Sequence, residues 1–314
     1  MLRILIPGGA GQVGTFLARR FHAQGHEVTV LSRYPRNMQW RTLPWDGESA
    51  GAWAHLLDNT DVVINLAGRS VDCRYTRANR AQILRSRLDS TRILGQCIAT
   101  AKTPPRLWLN ASTATIYRHS LDEDQDDIWG ELGGDEANAP STWRFSIDVA
   151  TQWEDTFFAA RTPHTRKVAL RSAMTMSPDK GGVFDVLSKL ARFGLGGTVG
   201  SGNQYVSWIH HRDFTRAVDF LIEREDLEGA VNLSSPNPLP YRDFMKTLRG
   251  AWGQSIGLPA TEWMLEIAAF FLRTESELVL KSRRVIPTRL LHAGFEFQFS
   301  DWQDAAKHLV ADAR

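Results

Sequence analysis

Three glycines near the amino terminus constrain the fold of this chain more than any other feature. The run from Leu2 to Ile6 is apolar apart from one arginine, which is typical of a buried parallel strand. Gly8, Gly11 and Gly14 follow this run, and apolar residues then recur at helical spacing. The sequence therefore predicts a strand, a glycine-rich turn and a helix, which together form the first half of a βαβ unit.

The glycine turn is suited to binding the phosphates of a dinucleotide. One glycine allows a sharp turn, one allows backbone N–H groups to approach a pyrophosphate, and one allows the helix to pack closely on the strand. The unpaired donors and the dipole at a helix N-terminus favour anions. We therefore expect the cofactor phosphates beside Gly8, Gly11, Gln12 and Val13. The spacing Gly-x-x-Gly-x-x-Gly differs from that of most dehydrogenases, so a plain strand-to-helix turn is the alternative.

Composition and charge narrow the class of protein. The 314 residues are 43% hydrophobic and 23% charged, which allows one large α/β domain with a smaller lobe. The net charge of +2 gives no reason to expect a nucleic-acid or membrane-surface partner. No apolar stretch reaches the ~20 residues of a membrane span.

The two cysteines, Cys73 and Cys97, are too few for a disulfide framework and fit no metal-ligand spacing. Because the first strand begins at once, we expect no signal peptide, and reduced thiols fit a cytoplasmic location.

The chain up to residue 172 alternates between predicted strands and predicted helices. Such alternation predicts a doubly wound parallel sheet of the Rossmann type in an α/β fold. Further strands are predicted at Glu27–Leu31, Asp61–Gly68 with its exit loop, Arg106–Ala111 and Arg166–Arg171, and helices at 76–101 and 144–161. We assign residues 1–172 to an NADP-binding domain whose sheet is completed by later segments.

The pattern changes after residue 172, and we assign residues 173–314 to a smaller, mainly helical substrate lobe. An amphipathic segment ends at Phe193, and a glycine-dense stretch then leads into the run Gln204–Ile209. The predicted elements are a helix at 211–224, a short strand at 230–233 and mainly helical structure from Tyr241. Near the end, the alternating run Phe295–Phe299 is typical of a strand.

The end of the second strand indicates which dinucleotide is bound. An acidic residue there would accept a hydrogen bond from the adenosine 2′-hydroxyl and would favour NAD. Ser32 and Arg33 stand there instead, and their donors and charge suit a 2′-phosphate, with Arg36 as support. We therefore expect NADP(H), the alternative being that Arg33 is a solvated loop cation. The residues expected to lie against the cofactor after the third strand are Leu66, Ala67 and Gly68.

The chain resembles the extended short-chain dehydrogenase/reductase superfamily, which includes nucleotide-sugar epimerases. The glycine turn, the run Asn65–Gly68 and the segment Ser112–Tyr117 match that superfamily. More narrowly, the chain resembles the YfcH-like epimerase-family branch over essentially its whole length. The features that match this branch are Ser86-Arg87, Trp153-Glu154, the glycines from 194 to 202, Ser207–His210, Asp213, Ser282–Val285 and Leu290–Phe295. The resemblance implies an NADP-binding fold more directly than it implies a reaction.

The resemblance also implies a catalytic group of three residues. A tyrosine transfers the proton, a lysine four residues later lowers the tyrosine pKa, and a Ser or Thr polarises the substrate oxygen. Thr113 occupies the hydroxyl position. Phe145 and Val149 stand where the tyrosine and lysine are expected, and they offer neither a proton nor a charge. None of the five tyrosines has a lysine four residues later, so the motif is absent.

Other residues are candidates to replace parts of this chemistry. Tyr117 is either a stand-in acid or a structural tyrosine. Arg87 stands in place of the asparagine expected near the nicotinamide, and it either holds an anionic carbonyl substrate beside the cofactor or forms a salt bridge between helices. Trp208 and His210 are expected to line the substrate cleft, with His210 as a base or as a hydrogen-bonded wall. Asp213 is expected to cap the following helix.

Two functions fit this sequence. One is an NADP(H)-dependent oxidoreductase or epimerase that acts on a small polar carbonyl or sugar-like substrate, with Thr113 holding the oxygen and with an acid or water supplying the proton. The other is an NADP(H)-binding protein with little or no turnover, acting as a sensor or in cell division. Phe145 and Val149 favour the second, whereas the retained substrate lobe favours the first. The sequence leaves open whether the protein is a monomer or a homodimer.

Overall fold

The computed structural model describes residues 1–134, 136, 141–259 and 280–314, with the backbone alone described at 141 and 142. Among these residues, seven parallel strands form the main sheet. They are β1 (Arg3–Pro7), β2 (Glu27–Ser32), β3 (Arg41–Pro44), β4 (Val62–Asn65), β5 (Leu107–Thr113), β6 (Arg166–Ser172) and β10 (Gly229–Leu233). Their order across the sheet is β10-β6-β5-β4-β1-β2-β3, which confirms the predicted doubly wound sheet.

Two short strand pairs, eight α-helices and two 3₁₀ helices (Ala52–Asn59 and Ala114–Ile116) complete the described elements. The strand pairs are β7 (Met174–Met176) with β9 (Trp208–His210), which is parallel, and β8 (Tyr205–Val206) with β11 (Leu239–Pro240), which is antiparallel. The helices are α1 (Gln12–Ala23), α2 (Arg77–Thr100), α3 (Ser141–Ala159), α4 (Val183–Arg192), α5 (His211–Glu223), α6 (Tyr241–Ala251), α7 (Thr288–His292) and α8 (Trp302–Asp312). In this part of the chain every helix is too short or too polar to traverse a bilayer.

The two faces of the main sheet bury different helices. Successive side chains of a strand point to opposite faces, so Ile4 and Ile6 pack with α1 and α5, whereas Leu5 packs with α2 and α3. All three residues are buried, and the strands beside β1 follow the same alternation. This burial of nearly continuous apolar runs from both sides is what a parallel sheet requires.

The glycine turn after β1 fits together as tightly as the sequence suggests. Gly8 has φ of +75°, and a Cβ added there would lie 2.5 Å from the backbone nitrogen of Ala67. A Cβ at Gly14 would lie 2.3 Å from the Cα of Gly9, so a larger residue would push α1 away from the turn. By contrast, a Cβ at Gly11 would meet nothing closer than the carbonyl oxygen of Gly8 at 3.9 Å. The turn therefore leaves open space at the start of α1.

The chain beyond residue 172 builds a second apolar core and also returns to the main sheet. Phe184 of α4, Trp208 of β9, Phe244 of α6 and Trp302 of α8 are buried together in this core. β10 pairs with β6 at the edge of the main sheet, as expected for a sheet completed by later segments. The boundary at residue 172 stays a prediction, and residues 260–279 of the predicted helical region lie outside the described residues.

Two expectations about the second half of the chain were wrong. The run Phe295–Phe299 forms no strand, because the backbone nitrogens of Gln298 and Phe299 donate to the Asp213 carboxylate at 2.8 and 2.7 Å instead of to a neighbouring strand. Asp213 therefore does not cap α5. The cap is His210, whose Nδ1 accepts from the backbone nitrogen of Arg212 at 3.1 Å.

The imidazole of His210 is fully buried among aromatic rings. It stacks on Phe299 with ring centroids 3.9 Å apart and on His211 at 4.6 Å, and His308 meets it edge-on. Burial, with a smaller contribution from the neighbouring histidines and Arg212, lowers the pKa of His210 to about 2. Burial likewise lowers the pKa of His211 to about 4. Both rings are therefore neutral in the folded protein across the physiological range.

Acid should destabilise the fold through His210. The unfolded imidazole titrates near 6.5, and the folded pKa is depressed, so the unfolded state gains its proton first and stability falls as pH drops below about 6.5. From pH 6.5 to 4.5 the loss is about 2 kcal/mol of unfolding free energy. Urea unfolding of the parent and of His210→Asn at both pH values measures it, because asparagine still accepts the capping hydrogen bond but does not titrate. Equal pH dependence in the two proteins would contradict the prediction.

Candidate functional site

Two adjoining cavities lie at the carboxyl ends of the central strands. The larger has a volume of about 830 Å³ and the smaller about 390 Å³. Leu66, Gly68 and Arg69 line both, so the two cavities meet in the loop that follows β4. β1 and β4 are neighbours here, and the chain runs to opposite sides of the sheet from them. Such a switch point is where open α/β sheets bind their ligands.

The larger cavity gathers most of the residues expected to bind a cofactor. It is lined by Gly8, Gly11, Ser32, Arg33, Leu66, Ala67 and Gly68. Of the remaining expected residues, Val13 and Arg87 line the smaller cavity. Gln12 lines neither of the two, because its Nε2 donates to the carbonyl oxygen of Asp179 at 2.9 Å.

The start of α1 is open to a phosphate. Gly11 occupies the N-cap position and no side chain caps the helix there, so the first backbone donors have no side-chain acceptor. Together with the empty space beside Gly11, this arrangement fits a pyrophosphate.

The far end of the larger cavity carries both basic and acidic side chains. Arg33 is exposed and forms no ion pair with any described residue, whereas the Asp46 carboxylate accepts hydrogen bonds from Ser49 and from the backbone nitrogen of Glu48. Those bonds, the one from the Ser49 hydroxyl first, lower the pKa of Asp46. Asp46 is thus engaged in holding its own loop, and the guanidinium of Arg33 remains available for an anion.

The smaller cavity has apolar walls and a hydroxyl group. Phe145 and Val149 line it from α3, and Thr113 lines it from the end of β5. The Oγ1 of Thr113 accepts from the backbone nitrogen of Thr115 at 3.1 Å, and among the described residues none accepts from its hydroxyl. The hydroxyl hydrogen is therefore available to a ligand oxygen. Phe145 and Val149 keep the helix wall free of any proton donor or charge at those two positions.

Arg87 enters the smaller cavity from α2 and forms no salt bridge with any residue that the structure describes. Its Nη1 donates to the carbonyl oxygens of Arg69 and Ile83 at 3.1 and 3.0 Å, and its guanidinium lies 5.1 Å from the ring centre of Trp153. No carboxylate of the described residues lies within 4.0 Å of it. Burial lowers the pKa of Arg87 to about 10, with Tyr75 and Cys73 opposing the shift, so the side chain stays charged at neutral pH.

Tyr117 lines neither cavity and belongs to a buried polar network, of which Ser112 lines the smaller cavity. Its hydroxyl donates to Asn232 Oδ1 at 2.9 Å and accepts from Arg171 Nη1 at 2.9 Å. Arg171 also makes two hydrogen bonds to Glu154 at 2.9 and 2.7 Å, and the Ser112 hydroxyl donates to Glu154 at 2.5 Å. Burial raises the pKa of Tyr117 to about 12, although Arg171 opposes this. The tyrosine position therefore favours a structural role over that of a stand-in acid.

Trp208 and His210 are not brought to the cleft. Both are 0% exposed, and neither lines either cavity. The indole of Trp208 packs against Trp302 in the second core, and His210 lies in the aromatic stack described above.

Several cavity residues escaped the sequence analysis. They are Arg69, Tyr75, Ser146 and Arg283 in the smaller cavity and Arg85 in the larger one. Arg69 directly follows Gly68 and Ser146 directly follows Phe145, so their positions beside expected residues were a usable signal. Tyr75, whose ring meets Phe145 at 5.0 Å, and Arg283, which donates to Thr115 Oγ1 at 3.1 Å, are brought in by tertiary packing alone. Within the described ranges, no group of three or more potential ligands is placed to hold a metal ion.

Comparisons with known proteins agree with this geometry. A model of the NAD dependent epimerase/dehydratase family matches residues 4–234, and a domain of unknown function, DUF1731, matches residues 260–309. The human epimerase family protein SDR39U1 is 31% identical over 315 residues, covering 99% of this chain and 100% of the relative. The Bacillus subtilis epimerase family protein YfhF is 31% identical over 316 residues, covering 100% of this chain and 99% of the relative.

Solved structures are similar over almost the whole chain. The crystal structure of human SDR39U1 (isoform 2) with NADPH has a TM-score of 0.85 at 30% identity and covers 99% of this chain and 100% of its own. The nucleoside-diphosphate sugar epimerase from Corynebacterium glutamicum has a TM-score of 0.76 at 26% identity, covering 98% of this chain and 58% of its own.

The buried ion pair below the cleft should be a strong determinant of stability. The Glu154 and Arg171 side chains are only 9% and 13% exposed, so Glu154→Gln leaves a buried guanidinium without its counter-charge. We expect a loss of about 3 kcal/mol in the free energy of unfolding. The matched control is Asp304→Asn, which removes an exposed pair with Lys307 and should cost less than about 1 kcal/mol. Denaturant titration of both variants tests this, and equal losses would refute it.

Proposed function

We propose that this chain, which belongs to the NAD dependent epimerase/dehydratase family, is an NADP(H)-dependent oxidoreductase or epimerase acting on a small polar carbonyl or sugar-like substrate. The observation that carries the proposal is the pair of adjoining cavities, one at the glycine turn and one at Thr113. The NADPH bound by the human relative supports the choice of cofactor. A cytoplasmic location goes with this proposal, since Cys73 and Cys97 are free thiols.

The residues of the larger cavity would hold the cofactor. The backbone donors at the start of α1 receive the pyrophosphate, and Gly8 and Gly11 keep the space in front of them open. Arg33 pairs with the adenosine 2′-phosphate, and Ala67 and Gly68 let the cofactor lie against the backbone. The nicotinamide end then reaches the smaller cavity through the shared loop after β4.

The residues of the smaller cavity would position the substrate. When bound, NADP(H) supplies or accepts a hydride at C4 of its nicotinamide. Thr113 donates a hydrogen bond to the substrate oxygen and so favours the charge that develops on it. Phe145, Val149 and Trp153 exclude water from the reacting atoms. The proton comes from Tyr75, whose side chain lines the same cavity, or from a water molecule.

A second candidate function is an NADP(H)-binding sensor with little turnover. Phe145 and Val149 favour it, because the usual pair for proton transfer is absent from α3. Stopped-flow absorbance at the reduced nicotinamide band, with a panel of small aldehydes, ketones and oxo acids, separates the two. Turnover with any of them supports the enzyme, whereas tight NADPH binding with none supports the sensor.

Cofactor preference should depend on Arg33. In the parent protein, NADPH at one hundred times its dissociation constant stabilises by about 2.7 kcal/mol, and NADH does so only at higher concentration. Arg33→Asp should raise the NADPH dissociation constant at least tenfold and lower that of NADH. Arg161→Asp is the matched control, because this exposed arginine undergoes the same charge change and lines neither cavity. Thermal melting with each nucleotide measures both constants, and equal shifts from NADPH and NADH in the parent would rule out the preference.

The hydroxyl of Thr113 should be required for turnover. For any substrate that the panel identifies, Thr113→Val keeps the shape but loses the donor, so kcat should fall about 10²-fold or more. Thr113→Ser restores a hydroxyl and should recover most of the activity. NADPH melting shifts in both variants check that cofactor binding is intact. If the valine variant turns over at the parent rate, Thr113 does not hold the oxygen.

A further inference from the structure

We infer that Arg87 is the substrate's anion-binding residue and that it selects a carbonyl compound with a carboxylate group on a small, otherwise apolar body. This inference rests on the proposed function and deepens it by naming the substrate class. Four observations carry it. Among the described residues, Arg87 has no counter-charge and the cavity lining has no carboxylate. In addition, Arg87 is held in a fixed position and the cavity is small.

The first observation is that Arg87 carries a charge to which no described residue supplies a counter-charge. A buried charge is costly unless it is paired and hydrogen-bonded, and structural arginines in cores therefore find carboxylates. Arg171 shows this in the same molecule, because it ends on Glu154 with two hydrogen bonds. Arg87 has only the two carbonyl bonds made by Nη1, and no described residue accepts from its Nε or Nη2. The Nε and Nη2 atoms of Arg87 are also accessible to solvent.

The second observation is that the guanidinium is held in place before any ligand arrives. The carbonyl oxygens of Arg69 and Ile83 fix one end, and the Trp153 ring lies against it. On another side, a Cβ added at Gly68 would lie 3.4 Å from the guanidinium carbon, which is ordinary van der Waals contact, so the backbone at Gly68 also lies close to Arg87. A fixed, planar group with two open donors matches the two oxygens of a carboxylate.

The third observation concerns the charge of the cavity as a whole. Three arginines line it, namely Arg69, Arg87 and Arg283, and no Asp or Glu is among its described lining residues. The other walls are largely apolar, with Ile83 and Phe145 among them. In such a low-dielectric site a ligand anion is attracted strongly, and a cationic ligand is rejected.

The fourth observation is the size of the cavity. At about 390 Å³ it lies near the lower end for ligand sites, and the nicotinamide would share it. The remaining space suits a small acid better than a nucleoside diphosphate sugar. The anion on Arg87 and the carbonyl oxygen on Thr113 would then orient one small molecule at two points.

The test uses matched pairs of ligands that differ only in charge. Acetate, benzoate and phenylacetate are compared with acetamide, benzamide and phenylacetamide by calorimetry, on the apo protein and with NADPH present. In the parent, at least one acid should bind at least tenfold more tightly than its amide. Arg87→Met should abolish this preference, and Arg87→Lys should retain part of it. Arg92→Met, which removes an exposed arginine on the same helix outside both cavities, should leave it unchanged.

The outcomes separate this inference from the proposed function. The inference is overturned if the parent binds none of the acids more tightly than the corresponding amide. It is also overturned if the preference for the acid survives in Arg87→Met. Loss of NADPH binding in Arg87→Met with the acid preference retained would assign the arginine to the cofactor, which also overturns it. Failure of the parent to bind NADPH would defeat the proposed function, while the apo measurements would still decide the role of Arg87. If Arg87→Met fails to fold, the reduced acid preference of Arg87→Lys decides the question.

Discussion

The close approach between the glycine turn and the loop after β4 is the constraint on which the rest of the structure depends. Gly8 touches the backbone at Ala67, and Gly14 touches Gly9, so the first strand, the first helix and the fourth strand meet without intervening side chains. This contact brings the N-terminus of α1 to the edge of the sheet where the strand order reverses. Both cavities open there because no Cβ fills the space.

The polar groups around the cleft divide into those that stabilise the fold and those that face a ligand. Ser112, Glu154, Arg171 and Tyr117 satisfy one another beneath the cavity, and each donor in that network has a protein acceptor. Arg87 and Thr113 lie a few residues from this network in sequence or space, yet they keep open donors. The difference is physical: a fully satisfied buried network fixes the positions of strands, whereas an open donor in a cavity costs stability unless it binds something.

Local patterns in the sequence predicted those parts of the molecule whose structure is set by residues within one short segment. The βαβ start, the parallel strands and the residues from Gly8 to Gly68 that line the larger cavity were predictable, because each depends on spacing within one segment. NADP(H) was expected from Ser32 and Arg33, and it agrees with the NADPH bound by the human relative. The short edge strand Arg41–Pro44 was missed, since it has little apolar periodicity.

The failures came from residues whose partners are distant in sequence. Phe295–Phe299 has the alternation of a strand, but its backbone donors are taken by Asp213, which lies more than eighty residues away. Trp208 and His210 look like cleft residues by resemblance, yet the second core buries them both. Tyr75 reaches the cavity from a segment that carries no motif, and Arg283 reaches it from a segment whose match to the branch gave it no role.

The charge of the whole cavity accounts for the apolar residues that α3 carries in place of the tyrosine and lysine. The resemblance places a lysine at position 149, where this chain has valine, so α3 brings no cation at that point. The packed neighbour, α2, brings Arg87 into the same cavity. The cavity thus keeps a positive charge but holds it on α2, whereas α3 contributes the apolar side chains of Phe145 and Val149. A cation in that position acts on the ligand rather than on a tyrosine of its own helix. An arrangement of this kind suits recognition of an anionic group more than activation of a phenol, because arginine binds two oxygens at once and remains charged.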